Sequence, residues 1–435
     1  MLLRFRVANH RSLRDEQELS LVGVPGRGQP KPTGPVPPTV RVAGIYGANA
    51  SGKSNVLHAL GYLRDAVEHS HTRWPALGGT YRDRFLLDAR SAEEPSGYEI
   101  DLLVEGVRYS YGFEIDDKAV LAEWLYSFPH GARRRMLFER EEADFKFGRS
   151  LPGRNAAIAG MTRPNALFLS AAASNQHEIL LRVFRAVVGI SPVFHEGLGT
   201  SPVPTADWLG TDEDLISTVN SWLRVADVGI DSVSVSEMIL ADDIKQQTQV
   251  LIEAFRKISD DDSLDDVPGE SSEIRIPELQ FRHHADSADI SVLGFHQESS
   301  GTRIWLAVLP LLIKTLRHGL TLVLDEIDSS MHPALSGAIV TAFKDPEINR
   351  SGAQLVFSTH DVSLLSGLLD GGLLARDEVW FTEKDRAGAT SLYPLSDFHP
   401  RQGENLERGY LQGRYGAVPF IDVQALRLVF AAKGE

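Results

Sequence analysis

Gly47-Ala48-Asn49-Ala50-Ser51-Gly52-Lys53-Ser54 satisfies the pattern GxxxxGK(S/T) at every fixed position. The pattern carries meaning only between a strand and a helix. Here the apolar run Val42-Ala43-Gly44-Ile45-Tyr46 precedes it, and a stretch with Val56, Leu60, Leu63 and Val67 at helical spacing follows. Such a loop turns backbone N–H groups toward phosphate, and the helix start adds partial positive charge. Gly47 and Gly52 permit backbone geometry that a side chain would block. Lys53 is then expected to reach the β- and γ-phosphates, and Ser54 to hold Mg²⁺. An ordinary strand–turn–helix is the competing reading, and the complete context disfavours it.

The 435 residues suffice for two or three domains, or for one large lobed one. Apolar content of 43% and charged content of 24% are those of a globular protein. No window reaches the roughly 18 uncharged apolar residues of a membrane helix; Ile304–Ile313 reads as a buried helix. The chain opens on a strand-like run, Leu2 to Val7, without the pattern of a signal peptide, so a cytoplasmic location without membrane contact is expected. The absence of cysteine excludes disulfides and cysteine-ligated metals. A net charge of −15 argues against sequence-independent nucleic-acid binding, which favours a basic excess. Any nucleic-acid contact would need a local patch such as Arg133-Arg134-Arg135, in a hairpin loop that solvent alone would also explain.

Along the chain, Leu2–Val7 and Gln17–Val22 read as strands around a turn, and residues 23–39 as a surface loop rich in Pro and Gly. Period-two patterning over Tyr98–Val104, Val107–Ile115 and Val120–Ser127 predicts an antiparallel meander, with turns at Glu105-Gly106 and Asp116-Asp117. Ala166 onward reads as a short strand, a polar break at Ser174–His177, then a helix. Asp212–Arg224 and Asp242–Ile258 read as helices, 259–272 as an acidic loop, and Glu278–Arg282 and Ser291–Phe295 as strands. From residue 300 helix and strand alternate, the mark of a parallel α/β core. The expected organisation is a first lobe at 1–174, a helical and irregular subdomain at 175–290, a second lobe at 291–400 and a packed tail at 401–435.

Three further motifs stand in a fixed order after the loop. Thr321-Leu-Val-Leu-Asp325-Glu326 is an apolar strand ending in two acids, the form of a Walker B. Asp325 would serve the Mg²⁺ shell and Glu326 would orient and deprotonate the attacking water. The alternation of a strand points the two side chains differently. A solvated acidic turn is the plainer alternative. Glu298-Ser299-Ser300-Gly301-Thr302 precedes a helix with Trp305, Leu309, Leu312 and Leu316 on one face, so its hydroxyls and N–H groups can face an anion. Leu355-Val-Phe-Ser-Thr-His360-Asp361 ends a strand on a histidine placed to sense the γ-phosphate.

Together these motifs resemble the ABC-type ATPase heads, nearer their SMC-like and OLD-like branch than transporter ATPases. Asp325-Glu-Ile-Asp-Ser-Ser-Met-His-Pro333 resembles the acidic pair and D-loop of that branch. Phe5-Arg-Val-Ala-Asn-His-Arg11-Ser12 resembles its N-terminal strand and turn. More narrowly, Trp380–Asp385 and Gly409–Pro419 resemble the tail of RloA-like AAA-family ATP-binding proteins of restriction and phage-defence loci. The fold so implied is α/β: a mixed sheet around the P-loop, an antiparallel meander and a helical subdomain.

The resemblance implies an ATPase that uses ATP and Mg²⁺ at a composite site. The loop 47–54 of one protomer and Ser299, Ser300 and Gly301 of another would enclose ATP across a homodimer. Arg11 and Ser12 would lie near the nucleotide, and Ser329 and His332 at the interface. Gln176, with Asn175 as the alternative, would be the Q-loop ligand of the metal; a plain polar helix-start residue is the competing reading. Glu298 and Thr302 depart from the transporter signature. No Asp-x-Asp follows His360, so a nuclease centre of the Toprim kind is not expected in this chain; a separate effector or nuclease-like protein would be the partner. The cycle would gate that effector or a nucleic acid, in phage defence. A nucleotide-gated scaffold with negligible turnover is the rival from another class, and a DNA-repair-type SMC-like head the third.

Overall fold

The structure is a computed structural model. It describes residues 1–24, 37–129, 131, 133–194, 198–226, 229–239, 275–283, 292–366, 372–400 and 404–418. The helix expected at Asp242–Ile258 and the acidic loop 259–272 lie outside the described residues, as do 25–36 of the Pro- and Gly-rich loop and much of the tail.

Strands β1 (Leu2–Ala8), β2 (Gln17–Ser20) and β3 (Val42–Gly47) precede the helix Lys53–His69. Then come β4 (Ser96–Val104), β5 (Val107–Ile115), β6 (Val120–Phe128), β7 (Arg135–Glu141), β8 (Asp144–Phe147) and, after three helices, β9 (Ile190–Val193). The strands β10 (Ile230–Ile239), β11 (Arg275–His283) and β12 (Val292–Gly294) follow. The chain closes with β13 (Thr321–Leu324), β14 (Gln354–Ser358), β15 (Val379–Lys384) and β16 (Thr390–Pro394). It divides into two compact units, Met1–His195 with Lys314–Glu435, and Glu196–Ile313.

The first unit holds two sheets. One has seven strands in the order β2-β1-β4-β5-β6-β7-β8, antiparallel between neighbours. Its β4–β5 turn has positive φ at both Glu105 (50°) and Gly106 (78°), the twist that suits a two-residue hairpin. The other has six strands in the order β16-β15-β3-β14-β13-β9, parallel except for the β15–β16 hairpin. Every residue of β3, β13 and β14 is buried, as a parallel sheet covered on both faces requires. Helix Lys53–His69 covers one face through Val56, Leu60, Leu63 and Val67, the positions its sequence spacing marks. Gln354 of β14 links the sheets: its amide accepts from Leu2 N (2.6 Å) and donates to Leu2 O (2.9 Å). This is the α/β fold of the sequence reading, a sheet built around the P-loop beside a β meander.

Two local readings need correction. The short strand expected after Ala166 is a helix, Phe168–Ser174. Its first N–H groups, of Phe168 and Leu169, donate to the buried carboxylate of Glu123 at 2.6 and 3.0 Å. That cap comes from β6, so the local sequence does not show it. The strands expected at Glu278–Arg282 and Ser291–Phe295 fall on β11 and β12, whereas β10 (Ile230–Ile239) is a strand the sequence reading did not expect. The second unit contains a sheet ordered β10-β11-β12, and Val233 and Val235 between serines gave β10 a period-two signal. Its core includes Val219, Leu223, Val233, Leu279 and Phe281, with the Trp222 and Trp305 rings 6.2 Å apart.

Candidate functional site

The strand order places three motifs at one edge. β3, β14 and β13 lie side by side and parallel, so the loop after Gly47, the turn at Ser358–His360 and the acids after Leu324 emerge together. Open parallel sheets form sites at this carboxyl edge.

Within the loop, Ala48 is half-buried, Asn49 and Ala50 are exposed, and Ser51, Gly52 and Lys53 are buried. Gly52 has φ +106° and is required on two counts, because a Cβ there would also run into Thr390 Oγ1. A Cβ on Gly47 would lie 2.5 Å from Ser51 Oγ and Thr382 Oγ1. A set of hydroxyls therefore presses on the back of the loop. Ser51 Oγ meets Thr382 Oγ1 at 2.7 Å, Thr390 Oγ1 donates to Ser51 O at 2.8 Å, and Ser12 Oγ meets Thr390 Oγ1 at 2.7 Å. Asn55, just after the loop, donates to Ser12 Oγ at 2.6 Å. Lys53 Nζ donates to Gly47 O (3.1 Å) and Ala48 O (3.3 Å), so its ammonium stands inside the curl of the loop.

Facing it, Ser54 Oγ donates to Asp325 Oδ1 at 3.0 Å, across 271 residues of chain. Ser358 Oγ donates to the same oxygen at 2.6 Å and accepts from Glu326 N at 2.8 Å. Glu326 itself has φ +52°. Asp328 accepts from Thr359 Oγ1 (2.6 Å) and from His360 N (3.3 Å), fixing the turn that carries the histidine. Ser358, Asp328, Thr382, Thr390 and Asn55 were not singled out from the sequence. The first two lie within the quoted motifs and could have been; the threonines are brought in only by the hairpin β15–β16.

Lys53 faces three acids at this edge. Burial lowers the Lys53 pKa, and Glu326, Asp325 and Asp328 oppose the shift. The His360 pKa is lowered first by desolvation and then by the Lys53 charge, while the same three acids oppose it. His360 is open to solvent at the rim, so screening limits these effects. The direction of the shift favours the uncharged imidazole.

The Ser54 hydroxyl and Asp325 carboxylate are hard oxygen donors of the kind Mg²⁺ takes. No group of three or more His, Asp or Glu side chains suited to a metal occurs among the described residues.

The remaining expected site residues fall in other places. Arg11 Nε donates to Asp83 Oδ2 at 2.5 Å beside Ser12. Ser299 and Ser300 are exposed at the start of the helix Ser300–His318, where Ser299 Oγ accepts from Thr302 N at 3.1 Å and Gly301 is half-buried. His283 fixes the preceding Glu298 at 2.6 Å, a partner that sequence reading missed. His332 caps the helix Pro333–Lys344 through Ala334 N (3.2 Å), with Ser329 half-buried just before it. Gln176, φ +56°, is exposed next to Asn175 and lines a cavity of about 580 Å³ with residues such as Arg154, Ile158 and Met161. No residue of the P-loop or of the acid pair lines that cavity. Arg133 and Arg134 are exposed before β7, and the Arg134 guanidinium lies 4.3 Å from the Tyr126 ring centroid. Among the described residues no helix is long and apolar enough to cross a membrane.

A protein family described as "AAA domain, putative AbiEii toxin, Type IV TA system" matches residues 42–181 and 229–366, more than half of the chain. No curated protein matches the sequence. Among solved structures, the SMC head domain from Thermotoga maritima is similar at a TM-score of 0.38 and 10% identity, covering 90% of this chain and 98% of that one.

Proposed function

The chain belongs to this family of AAA domains, P-loop ATPases, and from that membership we propose that it binds ATP at residues 47–54 and hydrolyses it. The contact of Ser54 Oγ with Asp325 Oδ1 at 3.0 Å carries the reading, since it joins the phosphate loop to the acid that such sites need. Lys53 would neutralise the β- and γ-phosphates. Bound Mg²⁺, held by Ser54 and Asp325, would offset charge on the phosphate oxygens. Glu326, beyond Asp325 and turned by its left-handed backbone, would accept the proton of the attacking water. Neutral His360 would donate a hydrogen bond to the γ-phosphate, held at its N–H by Asp328.

On the same reading ATP closes a homodimer, with the Ser299-Ser300-Gly301 turn of a second copy, whose serines are exposed, completing the site. The run Asp325–Pro333 supports placement in the OLD-like branch near RloA-like proteins, and Gln176, with Asn175 beside it, is proposed for the Q-loop. The family's description as a "putative AbiEii toxin, Type IV TA system" supports action beside a separate partner protein; the role in phage defence rests on the resemblance of Trp380–Asp385 and Gly409–Pro419 alone.

The test is ATP turnover with Mg²⁺ for the wild type, Glu326→Gln and Lys53→Ala. Glu326→Gln is expected to bind ATP and to turn over at least about 10²-fold more slowly; Lys53→Ala is expected to lose binding. A wild type no faster than Glu326→Gln would leave a nucleotide-gated scaffold instead.

A further inference from the structure

Five exposed arginines gather at one end of the seven-stranded sheet. Among the described residues, none of Arg133, Arg134, Arg135, Arg149 and Arg154 has a carboxylate within ion-pair distance. Elsewhere in the same unit Arg6, Arg82, Arg108 and Arg182 each pair with one. The sequence shows why. No Asp or Glu stands between Glu123 and Glu139, or between Asp144 and Glu178, although the chain carries a net charge of −15.

The strand pairing brings these cations together. Arg135 pairs with Ser127 of β6, and Phe138 with Phe147 of β8. Gly148 N donates to Leu137 O at 2.8 Å, which extends the second pairing by one residue and carries Arg149 level with Met136, next to Arg135. Leu151 N then turns back to Gly148 O (3.0 Å), and Asn155 Nδ2 donates to Leu151 O (2.7 Å), which fixes Arg154 at the start of the helix Asn155–Met161. The Arg134 guanidinium is held against the Tyr126 ring, 4.3 Å from its centroid. Cations fixed in advance lose less entropy when an anion binds. Arg154 also lines the cavity of about 580 Å³, whose wall includes Ile158, Met161 and Ile179. A hollow with apolar walls beside fixed cations matches a polypeptide better than a nucleic acid. A duplex laid along β7 would also meet Glu141, Glu142 and Asp144, exposed about 20 Å along the hairpin.

We propose that this patch docks a carboxylate-rich segment of a partner protein, its acids pairing with the arginines and an apolar side chain entering the hollow. This deepens the reading of a separate partner and needs no nucleotide, so its failure leaves the ATPase reading intact. Fluorescence anisotropy without ATP would use three labelled probes: a short peptide of alternating Asp and Glu, the same peptide with central leucines, and a short DNA duplex. The wild type is expected to bind both peptides, the leucine form more tightly, with affinity that falls as salt rises. Arg133→Ala/Arg134→Ala/Arg135→Ala and Arg149→Ala/Arg154→Ala change only exposed side chains, so their thermal midpoints should match the wild type. Each should bind the peptides at least about tenfold more weakly. Arg73→Ala/Arg350→Ala, at exposed positions elsewhere, should bind them as the wild type does. A wild type that binds neither peptide overturns the proposal, as does an equal loss in all three variants. Tighter binding of the duplex than of the peptides would assign the patch to nucleic acid instead, and no gain from the leucines would remove the hollow from the site.

Discussion

Ser358 bears more of the site than its place beside His360 suggests. Its hydroxyl donates to Asp325 Oδ1 and accepts from Glu326 N, so one oxygen positions both acids. Ser358→Ala should cost about 1 kcal/mol of stability, because it leaves the half-buried N–H of Glu326 without its acceptor. Activity should fall further than that loss explains, with kcat reduced and ATP affinity nearly kept; turnover and calorimetry on the same preparation would check both. A second residue-scale expectation concerns His10, which is buried with Nδ1 2.9 Å from Tyr98 Oη. Burial pushes its pKa down to about 3 from 6.5; Asp83 opposes this, and Arg11 and His58 add to it. The unfolded chain therefore takes up a proton first as pH falls. The stability from neutral His10 is full above pH 6.5 and is lost progressively toward pH 3. Urea midpoints at pH 7.5 and 5 should show this loss, and His10→Gln should show a smaller one.

At the scale of elements, what could be read in advance follows from where each signal resides. The helix Lys53–His69 and strands β3, β13 and β14 carry their determinants within themselves, as apolar spacing and uninterrupted burial. The helix Phe168–Ser174 does not, since its N-terminus is completed by Glu123 from β6. That carboxylate is fully buried 3.7 Å from Arg140, which also donates to Ala166 O at 2.6 Å. Glu123→Ala would leave the helix start and a buried guanidinium without their counter-charge, and should destabilise the fold by about 3–5 kcal/mol in chemical denaturation. The site divides the same way. Lys53, Ser54, Asp325, Glu326 and His360 could be named from motifs because their spacing is local. Thr382 and Thr390 could not, because only the pairing of β15 with β3 brings them behind the loop.

For the whole molecule, the proposed cycle makes a prediction about mass. With ATP and Mg²⁺, Glu326→Gln should elute from size-exclusion chromatography with multi-angle scattering as a dimer, and without nucleotide as a monomer. Adding Ser299→Arg, at an exposed helix start, should keep nucleotide affinity within about threefold and abolish the dimer. Dimers that persist without nucleotide would break the link between ATP and association. One backbone angle has a wider consequence. Glu326 sits in a left-handed conformation at φ +52°, which costs a non-glycine residue on the order of 1 kcal/mol. Asparagine or glycine would relieve that tension while removing the carboxylate. If Glu326 has the proposed role, a laboratory screen that rewarded heat tolerance alone should thus enrich variants without turnover, and only a screen that also rewards turnover would keep the acid in place.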